Sequence, residues 1–143
     1  MTPEALFGLA NMTAMIGWIL LLALPRWIVT RKVIRSGIFP ILLGIAYLLL
    51  IVLFFGESEG GFGSLEDVAK LFVNPWALLA GWIHYLAFDL FVGIWEVKDA
   101  EERGISHWFV APCLFFTFMF GPIGMLLYMI VRTVAKKKVI LEI

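Results

Sequence analysis

WALLAGWIHYLAFDLFVGIW, residues 76–95, is a run of twenty residues in which Asp89 is the one formal charge. As an α-helix it spans about 30 Å, the thickness of a bilayer's hydrocarbon core. A carboxylate near the centre of such a helix costs roughly 2.5–3.5 kcal/mol on insertion scales, so it needs a partner, a cavity or a reaction to keep it there. Asn74-Pro75 starts the run, and the helical pattern continues past the apolar part to Arg103. Gly104 is well placed as its C-terminal glycine.

Three further apolar runs flank this one, giving spans at about residues 6–25, 38–55, 76–97 and 107–132. Hydrophobic residues make up 62% of the 143 and charged ones 15%, with a mean hydropathy of +0.98, too little polar surface to clothe a water-soluble globule. No run alternates with the period of a membrane β-strand. The expected fold is all-α: one integral membrane domain, a four-helix transmembrane bundle. Ser64 offers an N-cap for a short interfacial helix through Phe72, between helices 2 and 3.

Connections and charge refine the picture. Pro25 ends the first helix, and Arg26, Arg31, Lys32 and Arg35 then crowd a turn suited to anionic lipid headgroups. GESEGGFG, 56–63, is a flexible acidic loop. The turn Gly104-Ile105-Ser106 forces the third and fourth helices into an antiparallel hairpin, with Ser106 placed to cap the fourth, and Gly121-Pro122 should kink that helix. Gly81, Gly93, Gly121 and Gly124 permit close backbone approach. With four spans, six Lys and Arg fall on one side and five on the other, Lys136 to Lys138 among them, so the positive-inside rule decides no orientation. The net charge of zero excludes nucleic-acid binding through a basic surface. Cys113, the single cysteine, has no intramolecular disulfide partner and reads as packing beside Pro112.

At about 100° per residue, Tyr85, Asp89, Glu96 and Asp99 fall in one longitudinal stripe of the third helix. His84 lies about 140° from Asp89 and must meet a different neighbour, such as Asn11 on the first helix. His107 opens the fourth helix and has a route to Glu96 or Asp99. Asp99 and Arg103 are also spaced for an ordinary helical salt bridge. Three chemistries can use these groups. Acid–base catalysis pairs a buried carboxylic acid with a neutral histidine. A metal site is conceivable from two histidines and three carboxylates, though their spacing matches no recognised ligand motif. A proton relay lacks a continuing polar path through the other spans.

HYLAFDLFVGIWEVKDAEERGISHW (84–108), PCLFFTFMFGPIGMLLY (112–128) and LFGLANMTAMIGWILLLALP (6–25) together resemble the abscisic-acid-deficient-four-like family of small multipass membrane proteins, whose plant members are linked to formation of neoxanthin from violaxanthin. The resemblance implies a role in carotenoid or xanthophyll metabolism, with a lipid-soluble polyene entering laterally from the bilayer. That conversion is an isomerisation, epoxide to allene. It requires an acid at the epoxide oxygen and a base at carbon, and no metal or other cofactor. On this reading Asp89 is the acid and His84 the base, while Glu96, Asp99 and His107 tune or replenish protons. Asn11, Trp18, Trp82, Tyr85 and Trp95 are the substrate-lining candidates. The competing expectations are a noncatalytic carotenoid- or lipid-binding scaffold that serves a partner enzyme, and a metal-dependent membrane enzyme. Membrane lipids are partners in any case, and a homo-oligomer is compatible. The first run lacks a basic n-region and a cleavage site, so it is expected to be a retained span with no organelle-targeting extension. The expected location is a bacterial inner membrane, or a plastid membrane for an organellar protein.

Overall fold

The computed structural model describes residues 2–136; Lys137 and Lys138, from the basic cluster noted above, lie outside the described residues. Among the described residues the structure is helical throughout, with no strand: α1 (Pro3–Ala23), a π-helical turn (Thr30–Ile34), α2 (Ile38–Phe54), a 3-10 turn (Phe55–Glu57), α3 (Leu65–Leu71), α4 (Pro75–Glu102), α5 (His107–Phe120) and α6 (Pro122–Lys136). Local chemistry sets most of these boundaries. The Thr2 hydroxyl accepts from the Ala5 amide ahead of α1, and Pro3 occupies the first helical position, where a missing N–H costs nothing. Ser64 caps α3 by accepting from the Asp67 amide at 3.1 Å, and the Asn74 side chain accepts from the Trp76 amide at 2.9 Å to start α4. Gly104 ends α4 at φ +66°. Its amide bonds the Glu101 carbonyl and that of Ile105 bonds Ala100, the paired closure of a Schellman motif. Ser106 takes an extended N-cap conformation, but its side chain makes no capping bond, contrary to the sequence expectation.

The fourth apolar run is not one kinked span. Gly121, at φ +50°, closes α5 with its amide on the Thr117 carbonyl, and Pro122 opens a new helix. A Cβ at Gly124 would overlap the backbone of Thr117, so α6 doubles back against α5. The expected four-helix bundle is therefore replaced, at its last member, by two short antiparallel helices. The 14 residues of α5 reach about 21 Å, short of a hydrocarbon core. By length and composition alone, two helices are long and apolar enough to cross a membrane, α1 and α4; α2, α5 and α6 are shorter apolar helices.

The chain divides into two compact units. One comprises Met1–Ala14 with Phe39–Phe88, the other Met15–Ile38 with Asp89–Ile143, so α1 and α4 each contribute half their length to both. In the first, Leu79, Ile83 and Leu86 of α4 are buried with Ala10, Leu43, Leu50 and Leu71. In the second, Trp18 is buried over Gly93, where a Cβ would collide with its ring, and Leu21, Leu90, Ile94, Val110 and Leu114 complete the core. Outer faces are apolar: Val52 is 72% exposed, Leu126 60% and Val134 77%, whereas Glu96 is 0% and Arg132 1% exposed.

Candidate functional site

In the first unit, a cleft of about 290 Å³ opens beside the first half of α4, lined by Tyr47 and Ile51 of α2, by Phe55 and Phe62, by Leu71 and Phe72 at the end of α3, and by Ala77, Ala80, Gly81 and His84. Gly81 is needed because the Phe72 ring occupies the space a Cβ would take. His84 is exposed on the wall, its ring edge-on to Tyr47 at 5.3 Å and beside Phe88 at 4.7 Å. Its neighbour is thus on α2, not Asn11. Asn11 instead accepts from the Trp82 indole at 3.1 Å and donates to the Phe7 carbonyl. Trp82 also packs on Tyr85 at 5.3 Å and borders a second apolar cleft, of about 310 Å³, between the start of α1 and the start of α4.

The second unit collects the acidic stripe. Asp89, Glu96 and Asp99, on a shared face of α4, are all buried. Asp89 lies against Gly121, at the turn where α6 begins and where the helix N-terminus favours a carboxylate. Glu96 Oε1 accepts from the Thr117 hydroxyl at 2.9 Å, while its Oε2 has no hydrogen-bond partner among the described residues. Asp99 is the most heavily engaged: Oδ1 meets Arg103 Nε at 2.8 Å, and Oδ2 accepts from Tyr128 Oη at 2.6 Å and faces Arg132 Nε at 3.1 Å. Trp95 stands edge-on to Tyr128 at 5.4 Å. Trp18 is a core residue of this unit, 1% exposed and packed against Phe118. His107 bonds through Nε2 with the Leu22 carbonyl at 2.9 Å, an orphan acceptor at the end of α1. Its ring serves that helix end, and the approach to Glu96 or Asp99 expected from sequence is replaced by this contact.

Thr117, Tyr128 and Arg132 were not singled out from sequence. Tyr128 and Arg132 are one turn apart on a single face of α6, an arginine within an otherwise apolar helix, and that was the available signal. Among the described residues no group of three or more His, Cys, Asp or Glu is arranged to hold a metal ion.

A model of the family described as ABA DEFICIENT 4-like matches residues 5–128, which include the cleft, the acidic stripe and the α5–α6 turn. The chain belongs to the ABA DEFICIENT 4-like family. It is similar to the chloroplastic protein ABA DEFICIENT 4 of Arabidopsis thaliana, with 24% identity over 140 residues, 92% of this chain. It spans 62% of that relative's length. No solved structure matches the chain. In this ABA DEFICIENT 4-like protein, His84 and the carboxylates thus serve different surroundings: an apolar aromatic cleft for the histidine, a buried polar cluster under α6 for the acids.

Proposed function

We propose that the protein is a membrane-embedded participant in carotenoid or xanthophyll metabolism that binds a lipid-soluble polyene and isomerises it by acid–base chemistry of the epoxide-to-allene type. Family membership supports the carotenoid role. Membrane embedding is supported by the inverted surface, with leucine, isoleucine, valine and phenylalanine outside and carboxylates and an arginine inside. A multi-pass protein of a bacterial inner membrane, or of a plastid membrane as the relative's chloroplastic name suggests, fits this reading.

The observation that carries the chemical reading is the cleft beside α4, with aromatic and aliphatic walls and an imidazole on one of them. Such walls suit a substituted ring and the start of a polyene, and a neutral imidazole is a competent base. In the proposed step His84 removes a proton from the polyene carbon next to the ring. That carbon–hydrogen pair becomes the new carbon–carbon π bond as the epoxide carbon–oxygen bond breaks, and the oxygen takes a proton from a carboxylic acid. Asp89, the first carboxylate after His84 on α4, is the acid of this proposal. The product is an isomer of the substrate, and release of the proton from the imidazolium and uptake of one by the carboxylate reset the two groups.

A second reading has its own observation. Asp99 bonds Tyr128 and faces Arg132, and Asp89 lies against Gly121, so these acids already hold the α5–α6 pair in place. A scaffold presenting pigment to a partner enzyme would use them in that way alone. The discriminating experiment expresses the chain in a membrane host that accumulates defined epoxy-carotenoids and follows pigment conversion. Conversion by the wild type that falls at least a hundredfold in both His84→Gln and Asp89→Asn supports the isomerase. Pigment that co-purifies unchanged, and is still retained by both variants, supports the scaffold.

A further inference from the structure

The cleft in the first unit has ten lining residues, and two of them, Tyr47 and His84, bring polar side chains to it. The others are Ile, Leu, Phe, Ala and Gly. The two polar side chains converge: Tyr47 comes from α2 and His84 from α4, and their rings meet edge-on with centroids 5.3 Å apart. Phe72, seated over Gly81, and Phe55, stacked on Phe62 at 5.8 Å, form the remaining aromatic walls. An apolar slot of this kind accepts any hydrocarbon of the right width. A tyrosine among the lining residues adds a requirement, because an O–H donor taken out of water costs free energy unless the ligand supplies an acceptor.

We propose that Tyr47 is the specificity-determining residue of the cleft, its hydroxyl donating a hydrogen bond to an oxygen on the ring of a bound polyene, so that the site selects oxygenated end rings over hydrocarbon ones. This rests on the polyene-binding reading above and deepens it. That reading assigns Tyr47 nothing; here it reads ring oxygen while His84 faces the carbon skeleton. Discrimination follows from an asymmetry: a site built to bond an oxygen rejects the analogue lacking it, because its own donor is then left unpaired. The apolar walls, in contrast, contribute equally to both ligands.

The test presents the purified full-length chain, in nanodiscs, with an equimolar mixture of zeaxanthin and β-carotene, which share a polyene and a ring skeleton and differ by ring hydroxyls. Neither carries an epoxide, so turnover does not enter the measurement. The wild type is expected to retain zeaxanthin over β-carotene by about tenfold or more. In Tyr47→Phe the ratio falls toward one while β-carotene retention is unchanged, and Phe72→Ala lowers both pigments together. A wild-type ratio near one, or a preference that survives in Tyr47→Phe, overturns the assignment and leaves the polyene-binding reading standing. Tyr47→Leu is the second apolar replacement: if both Tyr47 variants also lose β-carotene, the residue shapes the wall and does not read oxygen, and the assignment fails. Retention of neither pigment by the wild type overturns the inference and the underlying reading together.

Discussion

Asp99 illustrates how a buried charge is kept. It is 8% exposed, and its carboxylate meets Arg103, just past the end of its own helix, and both Tyr128 and Arg132 on α6. Arg132 is 1% exposed, so each charge depends on the other for compensation. Replacing Arg132 with Met leaves Asp99 with two donors but one cation fewer, and is expected to cost about 2–3 kcal/mol. Thermal unfolding in detergent measures it, with Lys98→Met, at an exposed position, as the control of equal charge change. An Arg132→Met protein as stable as that control would remove the ion pair from the account of how α6 is held. The acidic half of this cluster was legible in the sequence, because Asp89, Glu96 and Asp99 share one helix and 100° per residue fixes their common face. The basic and phenolic half was not: Tyr128 and Arg132 reach Asp99 only because of the path α6 takes. His84 was legible as standing off the acidic face, but which helix it would meet was not.

At the level of elements, the informative segment is the α5–α6 pair. Gly121 and Pro122 announce an interruption in any helix: one adopts φ +50°, the other lacks an N–H. Sequence reading takes this as a kink, since nothing local tells a bend from a reversal. What permits reversal is Gly124, where any side chain would strike the Thr117 backbone. Gly124→Ala is expected to cost about 2 kcal/mol or more, because the obstructing atoms are main chain and have nowhere to go. Gly8→Ala, in α1 with open space around it, should be neutral or stabilising by a few tenths of a kcal/mol to about 1. Equal melting temperatures for the two variants would contradict the packed hairpin. The caps on α3 and α4 and the glycine that ends α4 were readable in advance because each acts within one turn of itself.

For the molecule as a whole, the reversal of α6 changes the charge count. Within the second unit the end of α6 returns along α4, bringing Arg132 to the level of Asp99, near the α4–α5 connection. Among the described residues that unit holds Arg26, Arg31, Lys32, Arg35, Lys98, Arg103, Arg132 and Lys136, and the other holds Lys70. Read as four spans, the sequence offers the positive-inside rule almost nothing to choose between; with a returning α6, Arg132 and Lys136 join the other basic residues of the second unit. In a Cys113→Ser background, Glu102→Cys and Ala135→Cys are expected to react with a membrane-impermeant maleimide from the same side. Labelling from opposite sides would mean that 107–132 crosses the membrane once after all.

Composition, periodicity and turn residues by themselves determined the helical class, most helix boundaries, the shared acidic face of α4 and the family resemblance, since each is a property of a short stretch or of the chain's overall solvent preference. Tertiary structure alone decided the reversal at Gly121-Pro122, the pairing of Asp99 with Tyr128 and Arg132, the use of His107 at the end of α1, and the meeting of Tyr47 with His84. Those contacts join residues far apart in the chain, and no local propensity carries the distance between them.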